Sequence, residues 1–243
     1  MGNLMSFGEF WTDYKPFVIA FAVMLVLVFA LMQLLVYSRR QAERELETLR
    51  SRNLGLYLER LENNRRLALV FRKPILLLYK LDGYLMAGDD DKVRSIIKEL
   101  DGMKLEPRDR VEYLQKRMSF FVSVLEADEA RESYARLSAY LISVKADTVE
   151  LYRTMLEEGE ELIRVYLDRD ISYMDDLLKK AESTEHPVLR GVMYFRLAKL
   201  AHFKGDAVLR GKYLELARST LLGTDYEEII TQALVSPEVL EIN

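Results

Sequence analysis

The chain has 243 residues, contains no cysteine and carries a formal net charge of −4 at pH 7. The absence of cysteine excludes disulfide bonds, thiol catalysis and cysteine-ligated metal sites. The charge is unevenly distributed, because residues 38–73 hold ten Lys or Arg against five Glu, whereas residues 74–243 hold 24 Lys or Arg against 32 Asp or Glu. An acidic C-terminal part disfavours nucleic acid as a partner.

Residues 17–37 form one long apolar run, FVIAFAVMLVLVFALMQLLVY, in which Gln33 is the only clearly polar side chain. As an α-helix this run is about 31 Å long, which matches the hydrocarbon thickness of a bilayer. A secretory signal peptide has a basic start and a shorter apolar core, whereas this run is preceded by Glu9 and Asp13. The sequence therefore predicts a single transmembrane helix, with membrane lipid as its surroundings.

The charges that flank this run predict its orientation. Arg39, Arg40 and Arg44 follow it closely, whereas Lys15 is the only basic residue before it. Basic flanks stay in the cytoplasm. We therefore expect the protein to sit in the cell membrane, with an extracytoplasmic leader at residues 1–16 and a cytoplasmic C-terminal domain. The three arginines are also candidates for contacts with lipid headgroups.

Residues 38–66 are rich in Arg, Glu and Leu, which favour helices. They predict a basic juxtamembrane helical stalk, interrupted at Gly55. A heptad pattern can be threaded through this segment, but several of its seam positions are polar, so a coiled-coil dimer is the less favoured interpretation.

Residues 67–235 alternate between helical periodicity and signals that end or begin helices. Helix starts are predicted near residues 67, 107, 147 and 187, about forty residues apart, which is typical of stacked helical hairpins. The predicted fold is all-α, with an α-solenoid of about four hairpins, a C-terminal capping helix and a tail at residues 236–243; an irregular helical domain is the alternative. The signals are Gly88-Asp89, Gly102 with Pro107, Asp128, Asp147 with Glu150, Ser172 with Asp175, His186-Pro187, Gly205-Asp206, and Thr224 with Glu227.

Two stretches carry a family resemblance. The segment from Tyr84 to Gly88-Asp89, followed by Val93, Ile97 and Leu100, resembles a tetratricopeptide (TPR) repeat, as does the segment from Ala198 to Gly205-Asp206. The hairpins here are longer than the 34 residues of that family. The resemblance implies a concave groove that binds peptides or proteins and is lined by the first helix of each hairpin. The groove residues that it implies are Tyr79, Tyr84, Tyr113, Arg117 and Tyr152.

The sequence offers little for catalysis. His186 and His202 are the only histidines, and helix-terminal roles account for both. The acidic clusters lack the spacing of a calcium-binding loop. We therefore predict no catalytic residue, no metal site and no cofactor.

The predicted function is a membrane-anchored scaffold or adaptor that binds a partner protein. Because the domain is acidic, a partner with a basic segment is expected. The alternative is a structural subunit of a larger membrane complex, in which Gln33 meets another protein within the bilayer. Both homo- and hetero-oligomers remain open, and an enzyme with an acidic site is a distant third interpretation.

Overall fold

Helices make up 87% of the protein in a computed structural model that describes residues 7–143, 149–224 and 226–241. Within these ranges there are twelve α-helices and no β-strand, which confirms the predicted all-α class. The chain forms two compact units, Met1–Leu105 and Glu106–Asn243. Residues 67–105 of the predicted helical domain belong to the first unit, and residues 106–235 belong to the second.

The first unit begins with a helix of 46 residues, α1, which includes the whole of the predicted span. It also includes residues 7–16 of the predicted leader, whereas residues 1–6 lie outside the described part of the chain. The helices of this unit are α1 Phe7–Arg52, α2 Leu54–Asn63, α3 Leu67–Val70, α4 Lys73–Ala87 and α5 Asp90–Asp101.

The predicted stalk at residues 38–66 is not one helix. It breaks at Asn53, whose side chain accepts a hydrogen bond from the N–H of Leu56 (3.0 Å) and so caps α2. Helix α2 packs against α1, where Leu46, Tyr57 and Leu61 are buried in one cluster. The break therefore comes two residues before Gly55 and exists because α2 buries an apolar face.

The hairpin of α4 and α5 starts later than predicted. Residues 67–70 form only the short α3, and α4 starts at Lys73 with Pro74 in its first turn. The predicted turn is confirmed, since Gly88 has a φ of 66° and the Asp89 side chain accepts a hydrogen bond from the N–H of Lys92 (3.2 Å).

Seven α-helices belong to the described residues of the second unit. Helix α6 packs against α7, α10 against α11, and α9 against α10, whereas α8 packs chiefly against α6 and α7. A π-helical turn, Ile163–Leu167, continues α8, and a 3-10 turn, Ile171–Tyr173, precedes α9. The helices are α6 Pro107–Ser123, α7 Ala127–Ser143, α8 Val149–Leu162, α9 Met174–Ser183, α10 Pro187–Phe203, α11 Ala207–Leu221 and α12 Tyr226–Val235.

Helix α10 lies at the centre of this unit. Leu197, Ala198, Leu200 and Ala201 on it are fully buried against residues of α9, α11 and α12. Its start follows the prediction, because His186 caps it through a hydrogen bond from the N–H of Leu189 (3.5 Å). A helix covered on several sides fixes the positions of its polar side chains, including those described below.

Other predicted boundaries differ in detail. Asp128 lies in the first turn of α7 and does not cap it. Ahead of α9, Asp170 rather than Ser172 supplies the capping oxygen, at 3.0 Å from the N–H of Ser172. Asp147, the predicted capping residue of α8, lies outside the described residues.

The segment predicted as a tail, residues 236–243, contains regular structure. Residues Pro237–Glu241 form a 3-10 turn, and Leu240 is completely buried in the core of the second unit. Burial of this leucine explains why the chain stays folded past Ser236.

Candidate functional site

The apolar segment of α1 is the first candidate site. Its side chains are exposed from Phe17 to Tyr37, and its most apolar window has a mean hydropathy of 2.9 with none of its residues buried. Among the described helices it is the one that is long and apolar enough to cross a membrane. Apolar surface of this extent is stable only in an apolar medium or against other apolar surface.

The polar residues chosen from the sequence around this segment are also accessible. Gln33 is exposed on the apolar helix, and Arg40 and Arg44 are exposed beyond it. Arg39 differs, because its Nε lies 2.9 Å from Glu43 Oε1 and its guanidinium lies 5.8 Å from the centre of the Phe71 ring. In this structure the Arg39 side chain is therefore held by Glu43 and Phe71.

Two of the predicted partner-binding tyrosines belong to the first unit. Tyr79 is half-buried, with its ring edge-on to that of Phe71 and its carbonyl oxygen accepting a hydrogen bond from Tyr57 Oη (2.9 Å). Tyr84 is only 4% exposed, and its hydroxyl bonds to Glu62 and to Lys92. The Tyr84 side chain therefore links α4 to α2 and α5, whereas Tyr79 meets α2 through its backbone carbonyl and packs its ring against Phe71.

The other three predicted residues belong to the second unit. Tyr113 and Arg117 are 2% and 4% exposed, and Arg117 binds the carboxylates of Glu129 (2.6 Å) and Glu132 (2.8 Å) on α7. Tyr152 is half-buried on α8. In this conformation Tyr84, Tyr113 and Arg117 offer almost no surface to a partner. Their place in a groove stays a prediction: Arg117 is held by carboxylates of α7, whereas Tyr84 bonds to Glu62 on α2 and to Lys92 on α5.

The second unit contains an acidic cleft of about 330 Å³ between α8 and α9. Exposed carboxylates line its mouth. Glu157 lies 3.5 Å from Arg153, and Asp176 lies 3.6 Å from Lys179. Exposed pairs of this kind contribute little, so these carboxylates are available to an incoming cation. The residues that line the acidic cleft are Glu157, Glu160, Glu161, Arg164, Tyr173, Asp176 and Lys180.

A buried ion pair forms the floor of the acidic cleft. Glu161 is 3% exposed and accepts hydrogen bonds from Arg196 Nη1 (2.5 Å), Tyr173 Oη (3.1 Å) and Lys180 Nζ (3.2 Å). These three donors come from α10, the 3-10 turn and α9. The carboxylate of Glu161 therefore joins three elements of the unit, as buried charges need several partners.

An apolar cleft of about 270 Å³ is lined by residues of α6, α8, the π-helical turn, α10 and α12. Val122, Phe195 and Lys199 are buried and form its floor, whereas Ser119 and Ser123 are exposed at its rim. Its walls are half-buried side chains: Leu162, Tyr166, Tyr226 and Ile229.

Lys199 gives this apolar cleft its charge. Its side chain is 2% exposed, and Nζ lies 4.7 Å from the centre of the Tyr166 ring, in a cation–π contact. Burial lowers the pKa of Lys199 from 10.5 to about 8, and the nearby positive charge of Arg169 contributes to the same effect. The electrostatic potential at the floor of the apolar cleft is thus positive.

No group of three His, Asp or Glu side chains that could hold a metal ion occurs in the described parts of the chain. Both histidines have structural partners, since His186 caps α10 and His202 Nε2 lies 3.2 Å from Glu241 Oε1.

Comparison of the chain with protein-family models, curated proteins and solved structures gave no match. The resemblance to TPR repeats therefore depends on the quoted residues alone.

Sequence reasoning missed Arg196 and Lys199, and it assigned the acidic cluster that contains Glu161 to helix termini and solvated faces. The available signal was the composition of α10, in which Arg196 and Lys199 lie within an otherwise apolar stretch, FRLAKLA. Charged residues on a helix that is apolar on several faces are expected to be buried and partnered. Their partners could not be predicted because Glu161 lies 35 residues away from Arg196 along the chain.

Proposed function

We propose that this chain is a membrane-anchored helical scaffold whose C-terminal unit binds a partner protein in the cytoplasm. The observation that carries the proposal is the exposed apolar helix Phe17–Tyr37, which continues without a break into a folded helical unit. A chain of this kind holds whatever it binds at the membrane surface.

The pairing of helices supports a scaffold. Within the second unit, α6 packs against α7 and α10 against α11, and the starts of α6, α8 and α10 at residues 107, 149 and 187 lie close to the predicted period. We propose that they form a short α-solenoid, in which neighbouring pairs bury each other's apolar faces and leave an extended surface for a partner.

The acidic cleft supports a partner with a basic segment. Glu157, Glu160 and Asp176 present carboxylates at an opening that can admit a Lys or Arg side chain. Electrostatic complementarity of this kind mainly accelerates association, so binding should weaken as ionic strength rises.

The test is chemical crosslinking of the full-length protein in its native membranes, followed by mass spectrometry of the crosslinked proteins. We expect the double variant Glu157→Lys, Glu160→Lys to give a several-fold lower yield of one specific crosslinked protein than the wild type does, because like charges then meet across the interface. Glu158→Lys is the matched control, since Glu158 is exposed on the same helix but does not line the acidic cleft. Equal recovery of every crosslinked protein from both variants would contradict the proposal.

A structural subunit of a larger membrane complex is the second candidate, and Gln33 favours it. An amide exposed at membrane depth gains a hydrogen bond when it meets another helix. Gln33→Leu should therefore shift the protein to a smaller species on native gels in mild detergent, whereas Met32→Leu should not. A species of unchanged size with Gln33→Leu would leave the scaffold as the better interpretation.

A further inference from the structure

We infer that the segment between α2 and α4, residues 64–72 (the α3 segment), makes a second contact with the membrane. In this contact Leu69 enters the headgroup layer of an anionic leaflet, and Arg65 and Arg66 bind lipid phosphates. The inference rests on the membrane anchor proposed above, because it concerns the leaflet on the C-terminal side of the apolar segment. It is separate from the protein partner proposed for the acidic cleft, since all of its residues belong to the first unit.

Helix α2 brings the α3 segment back toward the apolar run. Beyond the break at Asn53, later residues of the chain contact earlier residues of α1. Arg60 Nη2 lies 2.7 Å from Glu45 Oε1, and the centre of the Phe71 ring lies 5.8 Å from the guanidinium carbon of Arg39. Helix α3 itself also contacts α1. Helix α2 therefore runs antiparallel to α1, and the α3 segment lies beside Arg39.

The position of Arg39 sets the height of the α3 segment above the bilayer core. Arg39 comes two residues after Tyr37, the last residue of the apolar run, which is about 3 Å along a helix. The headgroup layer on each side of the hydrocarbon core is about 5–7 Å thick. Leu69 precedes Phe71 by two residues, so their Cα atoms are at most about 7 Å apart. The α3 segment therefore reaches the headgroup layer when the apolar run fills the core.

The side chains of the α3 segment are divided between the core of the first unit and its surface. Leu67 is 5% exposed, whereas Leu69 is 79% exposed. The Asn64 side chain accepts a hydrogen bond from the backbone N–H of Arg66 (2.9 Å), and both Arg65 and Arg66 are exposed. An exposed leucine beside two arginines suits an interface, because the leucine enters the acyl boundary while the guanidinium groups bind phosphate oxygens.

The charge around the α3 segment selects an anionic surface. Residues 63–81 contain five Lys or Arg and no Asp or Glu. Lys73 is paired with Glu99 on α5 (2.6 Å), so the positive charge beside Leu69 comes from the arginines. Each basic residue close to an anionic bilayer favours binding about fivefold. The bilayer is favoured over an acidic protein because α1 already holds it within reach, so that its effective concentration is high.

The test is fluorescence quenching in the full-length protein, reconstituted in nanodiscs of phosphatidylcholine and phosphatidylserine. Single cysteines carry an environment-sensitive fluorophore, and the quenchers are nitroxide-bearing lipid and aqueous iodide. Ala68→Cys reports on the α3 segment and keeps Leu69, whereas Met86→Cys lies about 20 Å from the start of α4 and is the control. Val28→Cys reports on the anchor itself. We expect the lipid to quench the labels at positions 68 and 28, and iodide to quench the label at position 86.

Substitutions in the Ala68→Cys background separate the leucine from the arginines. Leu69→Gln should lower the ratio of inserted to withdrawn label about tenfold, because the apolar side chain is lost. Met86→Gln is its control, since Met86 is also an exposed apolar residue of the first unit. Arg66→Gln should lower the ratio about fivefold in anionic nanodiscs. Arg52→Gln removes the same charge in the last turn of α1, about 22 Å beyond Tyr37, and should change the ratio less than twofold.

The inference is overturned if the label at position 68 stays accessible to iodide, or if its quenching is the same in nanodiscs of phosphatidylcholine alone. Equal effects of a substitution and its control would also overturn it. Shielding of position 68 from both quenchers would overturn it as well and would indicate a protein interface. Loss of lipid quenching at position 28 would contradict the anchor and this inference together, whereas lipid quenching at position 28 with an iodide-accessible position 68 contradicts the inference alone.

Discussion

Gly191 and Gly211 occupy neighbouring helices of the second unit but different surroundings. A Cβ atom on Gly191 would lie 2.5 Å from Leu221 Cγ and also against Thr220 Oγ1. Leu221 is fully buried, and the Thr220 hydroxyl bonds to the backbone of α11, so neither side chain can move cheaply. A Cβ on Gly211 would meet no atom within 4 Å. Gly191 therefore sets the close approach of α10 and α11.

The two substitutions should change stability in opposite directions. We expect Gly191→Ala to lower the free energy of unfolding by about 1–3 kcal/mol, as overpacked cores do. Gly211→Ala should raise it by about 0.5–1 kcal/mol, because alanine loses less backbone entropy in a helix. Denaturant unfolding of the full-length protein in mild detergent, followed by circular dichroism, measures both. Equal effects of the two substitutions would show that the helices do not approach closely at Gly191.

Lys199 should make stability depend on pH. Its pKa is about 8 in the folded protein against 10.5 for the free side chain, so the unfolded chain binds more protons between these values. Stability therefore rises with pH across this interval, by on the order of 1 kcal/mol between pH 7 and pH 9. Lys199→Met should remove this gain. The neighbouring Tyr166 does not interfere, because burial raises its pKa above the ordinary value of 10.0. Unfolding midpoints of both proteins at the two pH values test the prediction, and parallel pH profiles would contradict it.

Single residues were predictable where local chemistry decides the conformation. Gly88 and Gly205 have positive φ angles and are followed by capping aspartates, as their sequence suggests. Leu125 and Arg169 also have positive φ angles, of 60° and 51°, but nothing in their side chains favours this conformation. Their backbone geometry is imposed by the packing of the helices on either side.

At the scale of elements, the buried pair of Glu161 and Arg196 joins α8 to α10. Replacing Glu161 by the isosteric glutamine leaves the buried Arg196 guanidinium without a counter-charge. We expect Glu161→Gln to lower the free energy of unfolding by about 3 kcal/mol. Glu158→Gln, three residues earlier on an exposed face, should change it by less than about 0.5 kcal/mol. Similar small effects of the two substitutions in the same unfolding assay would show that the pair adds nothing to stability.

Elements were predictable from the sequence where helix signals are strong, as at Pro107, Pro187 and Gly205. The break at Asn53 was missed because Gly55 is the more obvious helix breaker, whereas the burial of Tyr57 and Leu61 against Leu46 is tertiary. The same reason applies to the π-helical turn after α8, which has no local sequence signal. Helix propensity gives the existence of an element, and packing decides where it ends.

The proposed membrane orientation of the whole protein is testable because the chain has no cysteine of its own. A single cysteine can be introduced before the apolar segment with Thr12→Cys, or after it with Ser236→Cys. If the arginine-rich flank stays inside, a membrane-impermeant thiol reagent should label the first variant in intact cells and the second only after permeabilisation. The reverse pattern would place the acidic C-terminal part outside the cell and would remove the cytoplasmic partner from consideration.

The two clefts of the second unit could not be predicted from the sequence. The apolar cleft combines side chains from Ser119 to Ile229, and the acidic cleft combines two helices that are separated by two turns. Such sites depend on how helices meet, which periodicity along one helix does not encode. The apolar segment at residues 17–37 was predictable because it depends on composition and length alone.

The continuity of α1 has a mechanical consequence. Between Tyr37 and Arg52 the helix contains neither proline nor glycine, and Leu46, about 14 Å beyond Tyr37, already lies in the core of the first unit. In the proposed membrane-anchored protein, a tilt, rotation or vertical displacement of the apolar segment would thus be transmitted to that core, because the helix has no hinge. A neighbour that clamps α1 within the lipid would also fix the angle at which the first unit stands on the membrane.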